Sequence, residues 1–313
     1  MDSWEATRTF VREARRTPGY SLVDLVHGYV YARWPYLYIA MGTGQHPLAR
    51  FLKPLVGGLG QLLVPKSSSA ARPVTFADTY HGKVVPLAPA KQLVSVEEDV
   101  ILRDLEPIIP YALARDIVLQ HPDHIVALEC PCRSARPNPC LPLDVCLVVG
   151  EPFAGMISAY HPRRSRRVSP QEAVEILTDE DKRGHVHHAF FKDAMLGRFY
   201  AICNCCACCC GAMQAWQHGT PMLASSGYLA RVQPELCAGC GACVDACQFG
   251  ALSMRDGFVH VDATRCMGCG VCSSTCSQGA LLLTLAPDKG TPLEIRALLG
   301  AAQRDGVVQA AAQ

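Results

Sequence analysis

Cys237-Ala-Gly-Cys240-Gly-Ala-Cys243-Val-Asp-Ala-Cys247 and, 29 residues further on, Cys266-Met-Gly-Cys269-Gly-Val-Cys272-Ser-Ser-Thr-Cys276 are two copies of one pattern, C-x2-C-x2-C-x3-C. Three thiols spaced two residues apart wrap one corner of a cubane, and the fourth reaches across to the neighbouring cluster. The spacing therefore predicts two 4Fe–4S clusters. Cys237, Cys240, Cys243 and Cys276 would hold the first, and Cys266, Cys269, Cys272 and Cys247 the second. The repeat runs past the ligands, since Gly250-Ala251-Leu252 matches Gly279-Ala280-Leu281 at the same offset.

These residues resemble the bacterial two-cluster ferredoxin domain over roughly 227–287. The resemblance implies a small α+β ferredoxin-like fold and one-electron chemistry. The chain departs from the family at one point: the Pro usual after the fourth Cys is Gln248 in one run and Ser277 in the other. That position holds no ligand, so the departure bears on loop geometry and potential and not on cluster binding.

Outward from this stretch, the next signal is a second cysteine constellation. Of the 18 Cys in 313 residues, ten lie outside the repeat: Cys130, Cys132, Cys140, Cys146, Cys203, Cys205, Cys206, Cys208, Cys209 and Cys210. Six thiols between Cys203 and Cys210 have no packing logic on a loop, although a lone Cys packs as a small hydrophobe. One reading gives Cys130, Cys132, Cys140 and Cys146 to a third cluster and four of the Cys203–Cys210 run to a fourth. Another mixes the sets around a single irregular cluster with spare thiols. Cys146 is the weakest ligand candidate because it lies in an apparent buried strand. Zinc takes only four Cys/His ligands and would leave most of these thiols unexplained, so iron–sulfur is favoured. Alternation along an extended segment predicts that Cys205 and Cys206 face opposite ways, and likewise Cys208 and Cys209. The C-P-C-R run, the C-N-C-C-x-C-C-C run and the terminal two-cluster domain together resemble multi-cluster ferredoxin-like proteins of anaerobes, a likeness that names no reaction.

Around these sites the sequence predicts four segments: a helical basic and apolar arm (1–65), a Cys-rich α/β domain (74–226), the two-cluster domain (227–287) and a C-terminal tail (288–313). In the arm, Ser21 and Asp24 form a capping box before an apolar stripe of Leu22, Leu25, Val26, Tyr29 and Val30. Residues 1–73 carry nine Lys/Arg against four Asp/Glu, so the arm could lie on an anionic membrane, on a subunit or on the body of the protein. Pro65 to Pro73 reads as a linker.

In the middle, residues 105–120 read as a helix, 124–129 and 143–149 as buried strands, Ser169 as the cap of a helix with Pro170 first, and 185–191 and 198–202 as strands. The alternation predicts a mixed or mostly parallel sheet with helices packed on it. Both Cys clusters would then sit outside the carboxyl ends of strands and face one site. His81, His121, His124 and His161 read as surface or loop residues and Glu180 and Asp181 as helix-end charges. Arg163, Arg164, Arg166 and Arg167 read as a basic loop able to dock an acidic carrier. His185 and His187 share a strand face opposite His188.

Composition excludes some functions. The net charge of +1 offers no field for nucleic acid. No Walker A motif is present, and Gly57-Gly58-Leu59-Gly60 lacks the frame of a dinucleotide fingerprint, so no nucleotide is expected. Dense thiols and the absence of a secretory pattern predict a reducing, oxygen-protected cytoplasm with peripheral membrane contact through the arm at most. The expected role is an electron-transfer protein with a redox partner protein. The alternatives are a reductase whose middle Cys site is catalytic and a metal-handling module. No residue outside the cysteines stands out as an acid, base or nucleophile.

Overall fold

The computed structural model describes residues 2–49, 80–103, 105, 108 and 116–304. Three strands form its centre: β3 (Ile117–Glu129), β4 (Asp144–Glu151) and β7 (Arg198–Cys205). With β1 (Tyr80–Val85), β2 (Val100–Leu102), β5 (Ser165–Val168), β6 (Val186–Lys192) and β8 (Leu223–Ala224) they build an eight-stranded sheet. Its order is β2-β3-β4-β7-β6-β1-β8, with β5 paired to β3.

The sheet is mostly antiparallel, which corrects the parallel expectation. Only β1 with β8 pairs parallel among these strands. Both faces are covered, so alternate residues of each strand enter different cores. Val126 and Leu128 join one, and Ile125 and Ala127 the other. Such strands read as continuous apolar runs, the pattern expected of parallel sheets. The connection between β6 and β7 carried the contrary signal. Residues 193–197 are too few for a parallel crossover, which needs a dozen or more.

The expected helix at 105–120 is also corrected where it can be compared. Residues 117–120 are the start of β3; most of the remainder lies outside the described residues, as do residues 50–65 of the arm and the 65–73 linker.

Helices α1 (Ser3–Arg16) and α2 (Leu22–Arg33) lie on the cysteine-bearing face, where Ala6, Phe10, Ala14 and Ala32 join the core. The Ser21–Asp24 capping box is present in both its bonds. The buried face of α2 is rotated from the apolar stripe: Gly28 and Ala32 are buried, whereas Leu22 and Val26 are 75% and 56% exposed. Close approach explains this. A Cβ on Gly28 would stand 2.1 Å from the Ala194 carbonyl oxygen, so the helix docks through its smallest residues. Pro35 opens α3 (Pro35–Gly42). No helix among the described residues is long and apolar enough to cross a membrane.

On the opposite face lie helices Leu87–Leu93, Pro170–Lys182 and Ile295–Arg304. Ser169 caps the second by accepting from the Glu172 amide. The last brings part of the C-terminal segment back to the body, with Leu293 and Ile295 in the core.

The repeat forms its own small unit. β9 (Tyr228–Val232) pairs antiparallel with β12 (Leu281–Leu285), and β10 (Leu252–Arg255) with β11 (Phe258–Val261). Helical turns Ala242–Ala246 and Val271–Thr275 each start after a glycine at φ near +76° and +89°, Gly241 and Gly270, backbone that other residues adopt only at a cost.

Candidate metal centres

In the C-terminal unit, the repeat folds each Cys run into a loop and a helical turn. The thiols acting on Cys243 are those of Cys276, Cys240 and Cys237, while those acting on Cys269 are Cys272, Cys247 and Cys266. Each group takes three thiols from one run and the fourth from the other. The Ala251 amide donates to Cys247 Sγ and the Ala280 amide to Cys276 Sγ, both at 3.3 Å. These matched bonds put a positive dipole on the fourth sulfur of each run, one of the levers on cluster potential. Burial and the neighbouring Cys266, Cys247 and Cys243 hold the Cys272 thiol up at about 12. A bound metal would deprotonate a coordinating thiol outright.

The two groups differ in surroundings. Cys240 is exposed, whereas Cys247 and Cys269 pack against the core of the middle domain.

The ten middle cysteines converge from separate elements. Cys130 directly follows β3, Cys146 lies near the start of β4, and Cys203 and Cys205 end β7. β3 and β7 flank β4 on either side and both run antiparallel to it, so their carboxyl ends meet at the same edge. The two clusters meet as expected, in an antiparallel sheet.

They divide six and four, unlike the expected sets. Cys130, Cys132, Cys146, Cys203, Cys205 and Cys210 line a cavity of about 320 Å³. Side-chain interactions link them in the order Cys203, Cys146, Cys130, Cys132, Cys210, Cys205. Cys146, rated weakest, faces the cavity because β4 places it toward the cysteine side. Cys140 leaves the expected set and joins Cys206, Cys208 and Cys209, with all four sulfurs within 4.8 Å of one another. Cys205 and Cys206 do part, but Cys208 and Cys209 stay together. The second division falls between Cys209 and Cys210, because 206–210 is a turn closed by the Cys210 amide on the Cys206 carbonyl at 3.0 Å.

Arg133, the fourth residue of C-P-C-R, holds this edge together. It is 1% exposed and donates to the Pro142 carbonyl (2.5 Å), to Glu180 (2.5 Å) and to the Asn204 carbonyl (3.0 Å). Glu180 and Asp181 do lie at the end of helix Pro170–Lys182, but they are buried and so are not ordinary surface charges. Glu180 also takes His185 at 2.7 Å. Despite burial, the bonds to His185 and Arg133 hold its carboxyl below the usual range.

Sequence reasoning also missed Lys192 on the cavity wall, whose ammonium lies 4.8, 5.3 and 4.7 Å from the ring centres of Tyr31, Tyr38 and Tyr80. Burial pushes this amine down to about 7, against the pull of Asp193. Among the described residues, no carboxylate lines the cavity. A Lys closing an apolar strand carried no sequence signal of this.

Among the histidines, His187 bonds Asn204 at 2.6 Å. His81 is fully buried and His161 half-buried on the Ala32 carbonyl, so neither is a surface residue. Arg164 and Arg166 belong to the turn and strand of β5 and not to a free loop; Arg166 pairs with Asp144 and Glu172. His121 and His124 lie on β3, on an exposed stretch near Asp123.

His188 is fully buried near Phe190 and Phe249, with no side-chain hydrogen-bond partner on either ring nitrogen among the described residues. Burial, with His187 adding, pushes its pKa down to about 3. Below about 6.5 the unfolded chain binds a proton that the fold refuses, so the stability this group contributes is complete above pH 6.5 and lost as pH falls toward 3. Unfolding in urea is expected to lose about 2 kcal/mol between pH 6.5 and pH 5 through this residue. His188→Leu should remove that part of the slope; an unchanged slope would contradict the neutral assignment.

Against known families, residues 236–280 match the 4Fe-4S dicluster domain. This supports a C-terminal ferredoxin-type domain that binds 4Fe–4S clusters, and with the cysteine clusters it suggests iron–sulfur electron transfer. No curated protein matches the chain.

Proposed function

We propose that the chain carries electrons between a redox partner protein and the six-thiol cavity of the middle domain, through two clusters in the C-terminal unit and one held in the cavity. When bound, each 4Fe–4S cluster supplies a one-electron site whose potential is set by hydrogen bonds, charge and burial. Cys237, Cys240, Cys243 and Cys276 hold the outer cluster, where exposed Cys240 offers the partner an approach. Cys266, Cys269, Cys272 and Cys247 hold the inner one against the middle domain. The cavity's cysteines would supply its cluster's ligands, and Arg133 and Lys192 offset the charge of thiolates there.

The observation that carries this reading is Gln248. It replaces the usual Pro directly after Cys247. Its side-chain oxygen accepts from the Ala207 amide at 2.9 Å, inside the Cys206–Cys210 turn, and its amide donates to the Gly184 carbonyl at 3.0 Å. One residue thus joins the inner ligand group to the middle cysteines. Phe249 follows by packing on Trp216, centroids 5.2 Å apart. A Pro at 248 would lose both bonds.

Gln248→Pro is expected to keep both C-terminal clusters by iron content and EPR, while stopped-flow reduction of the middle site slows at least tenfold. Unchanged kinetics, or no redox centre beyond the two, would defeat the proposal.

A reductase reading draws on the cavity's size and on Lys192 in its tyrosine cage, facing a space that no carboxylate lines among the described residues. It predicts a change in the cavity cluster's spectrum on adding a small anionic substrate.

A further inference from the structure

We infer that Cys140, Cys206, Cys208 and Cys209 form a mononuclear tetrathiolate site for zinc, separate from every iron–sulfur cluster of the chain. The separations are Cys140–Cys208 3.3 Å, Cys206–Cys208 3.3 Å, Cys206–Cys140 3.6 Å and Cys208–Cys209 3.7 Å. One ion with Zn–S bonds of ~2.3 Å in tetrahedral array sets its sulfurs ~3.8 Å apart. A cubane stands between its thiolates and binds each at a different corner, so they lie farther apart. The chain supplies its own comparison. Among the described residues, the thiols of the dicluster unit do not gather in any group of three within 4.8 Å, and neither do the six of the cavity; the Cys140 group does.

The surroundings fit a closed structural site. Three ligands come from one turn and the fourth from the loop between β3 and β4, so an ion would join two distant segments. Arg136 donates to the Cys209 carbonyl at 3.2 Å and to Gln214 at 2.5 Å, and Gln214 donates to the Cys208 carbonyl at 2.9 Å. This clamp fixes the turn and sets a guanidinium beside a centre whose four thiolates outweigh a divalent ion by two charges. Exposed Cys208 gives the ion a way in. Cys206 and Cys209 also touch the cavity, so the ion would fix one of its walls. Four protein ligands leave no open position, the mark of a structural zinc. Zinc at this site leaves no thiols unexplained, because the other six have the cavity.

This inference stands apart from the electron-transfer reading, since zinc and iron are counted separately. The test is zinc, iron and sulfide per chain, with zinc-edge X-ray absorption, on the full-length protein purified anaerobically with both metals supplied. The expected result is one zinc per chain with four sulfurs at ~2.3 Å. Cys140→Ser and Cys208→Ser should each lower zinc affinity at least tenfold with iron and sulfide unchanged. Cys208→Ser, at an exposed thiol, answers if Cys140→Ser does not fold. Absence of zinc, iron taking its place, zinc held equally by both variants, a Cys140–Cys208 disulfide, or a loss of iron and sulfide in either variant would each overturn the inference.

Discussion

Arg133→Met is expected to cost about 3 kcal/mol or more in urea unfolding, because removing one partner of a buried ion pair strands the other. Glu180 is 1% exposed and, among the described residues, would keep only His185 and the half-exposed Arg183 as partners. The Pro142 and Asn204 carbonyls would lose their donor as well. Pro142 lies in the loop that carries Cys140, and Asn204 sits between Cys203 and Cys205, so the same change should release metal from the middle domain. The C-terminal clusters, outside this network, should keep their iron. Arg133→Lys retains the charge but lacks the planar fork that reaches three acceptors, and should fall between wild type and Met. A cost below about 1 kcal/mol, typical of an exposed pair, would contradict the bridging role.

The second large effect concerns the crossing of ligands between the two runs. Cys247→Ala should remove about four irons although it belongs to the first run, because its thiol stands with Cys266, Cys269 and Cys272. Cys276→Ala should remove the other four. Pairs separate the possibilities. Cys247→Ala with Cys266→Ala, in different runs, should lose no more iron than either alone. Cys247→Ala with Cys243→Ala, in the same run, should lose about eight. Iron analysis and EPR of the four variants decide it. The opposite pattern would assign each run its own cluster.

The C-terminal unit was legible because its ligands lie close in sequence and their spacing is itself the chemistry. The middle domain was legible only in part. Its cysteines announced a site, and Cys130 and Cys203 at strand ends announced its edge. Their grouping depends on a turn at 206–210 and on a loop that returns Cys140 to it, and neither leaves a periodic trace. The direction of the sheet was misread because two-sided burial makes Val145–Val149 uniformly apolar, while the short 193–197 connection held the answer. Glu180 read as a helix-end charge and Arg133 only as part of the C-P-C-R run, since burial of a pair 47 residues apart is set by tertiary packing. Gln248 was visible as a departure from the ferredoxin pattern, but its meaning lay in Ala207, on another element.

The central claim is that the six-thiol cavity holds a cluster served by the C-terminal pair. Iron and acid-labile sulfide per full-length chain, after anaerobic reconstitution, test it most directly. About twelve of each are expected, four beyond the two C-terminal clusters, with that excess lost in Cys130→Ala. About eight of each, unchanged by Cys130→Ala, would contradict it.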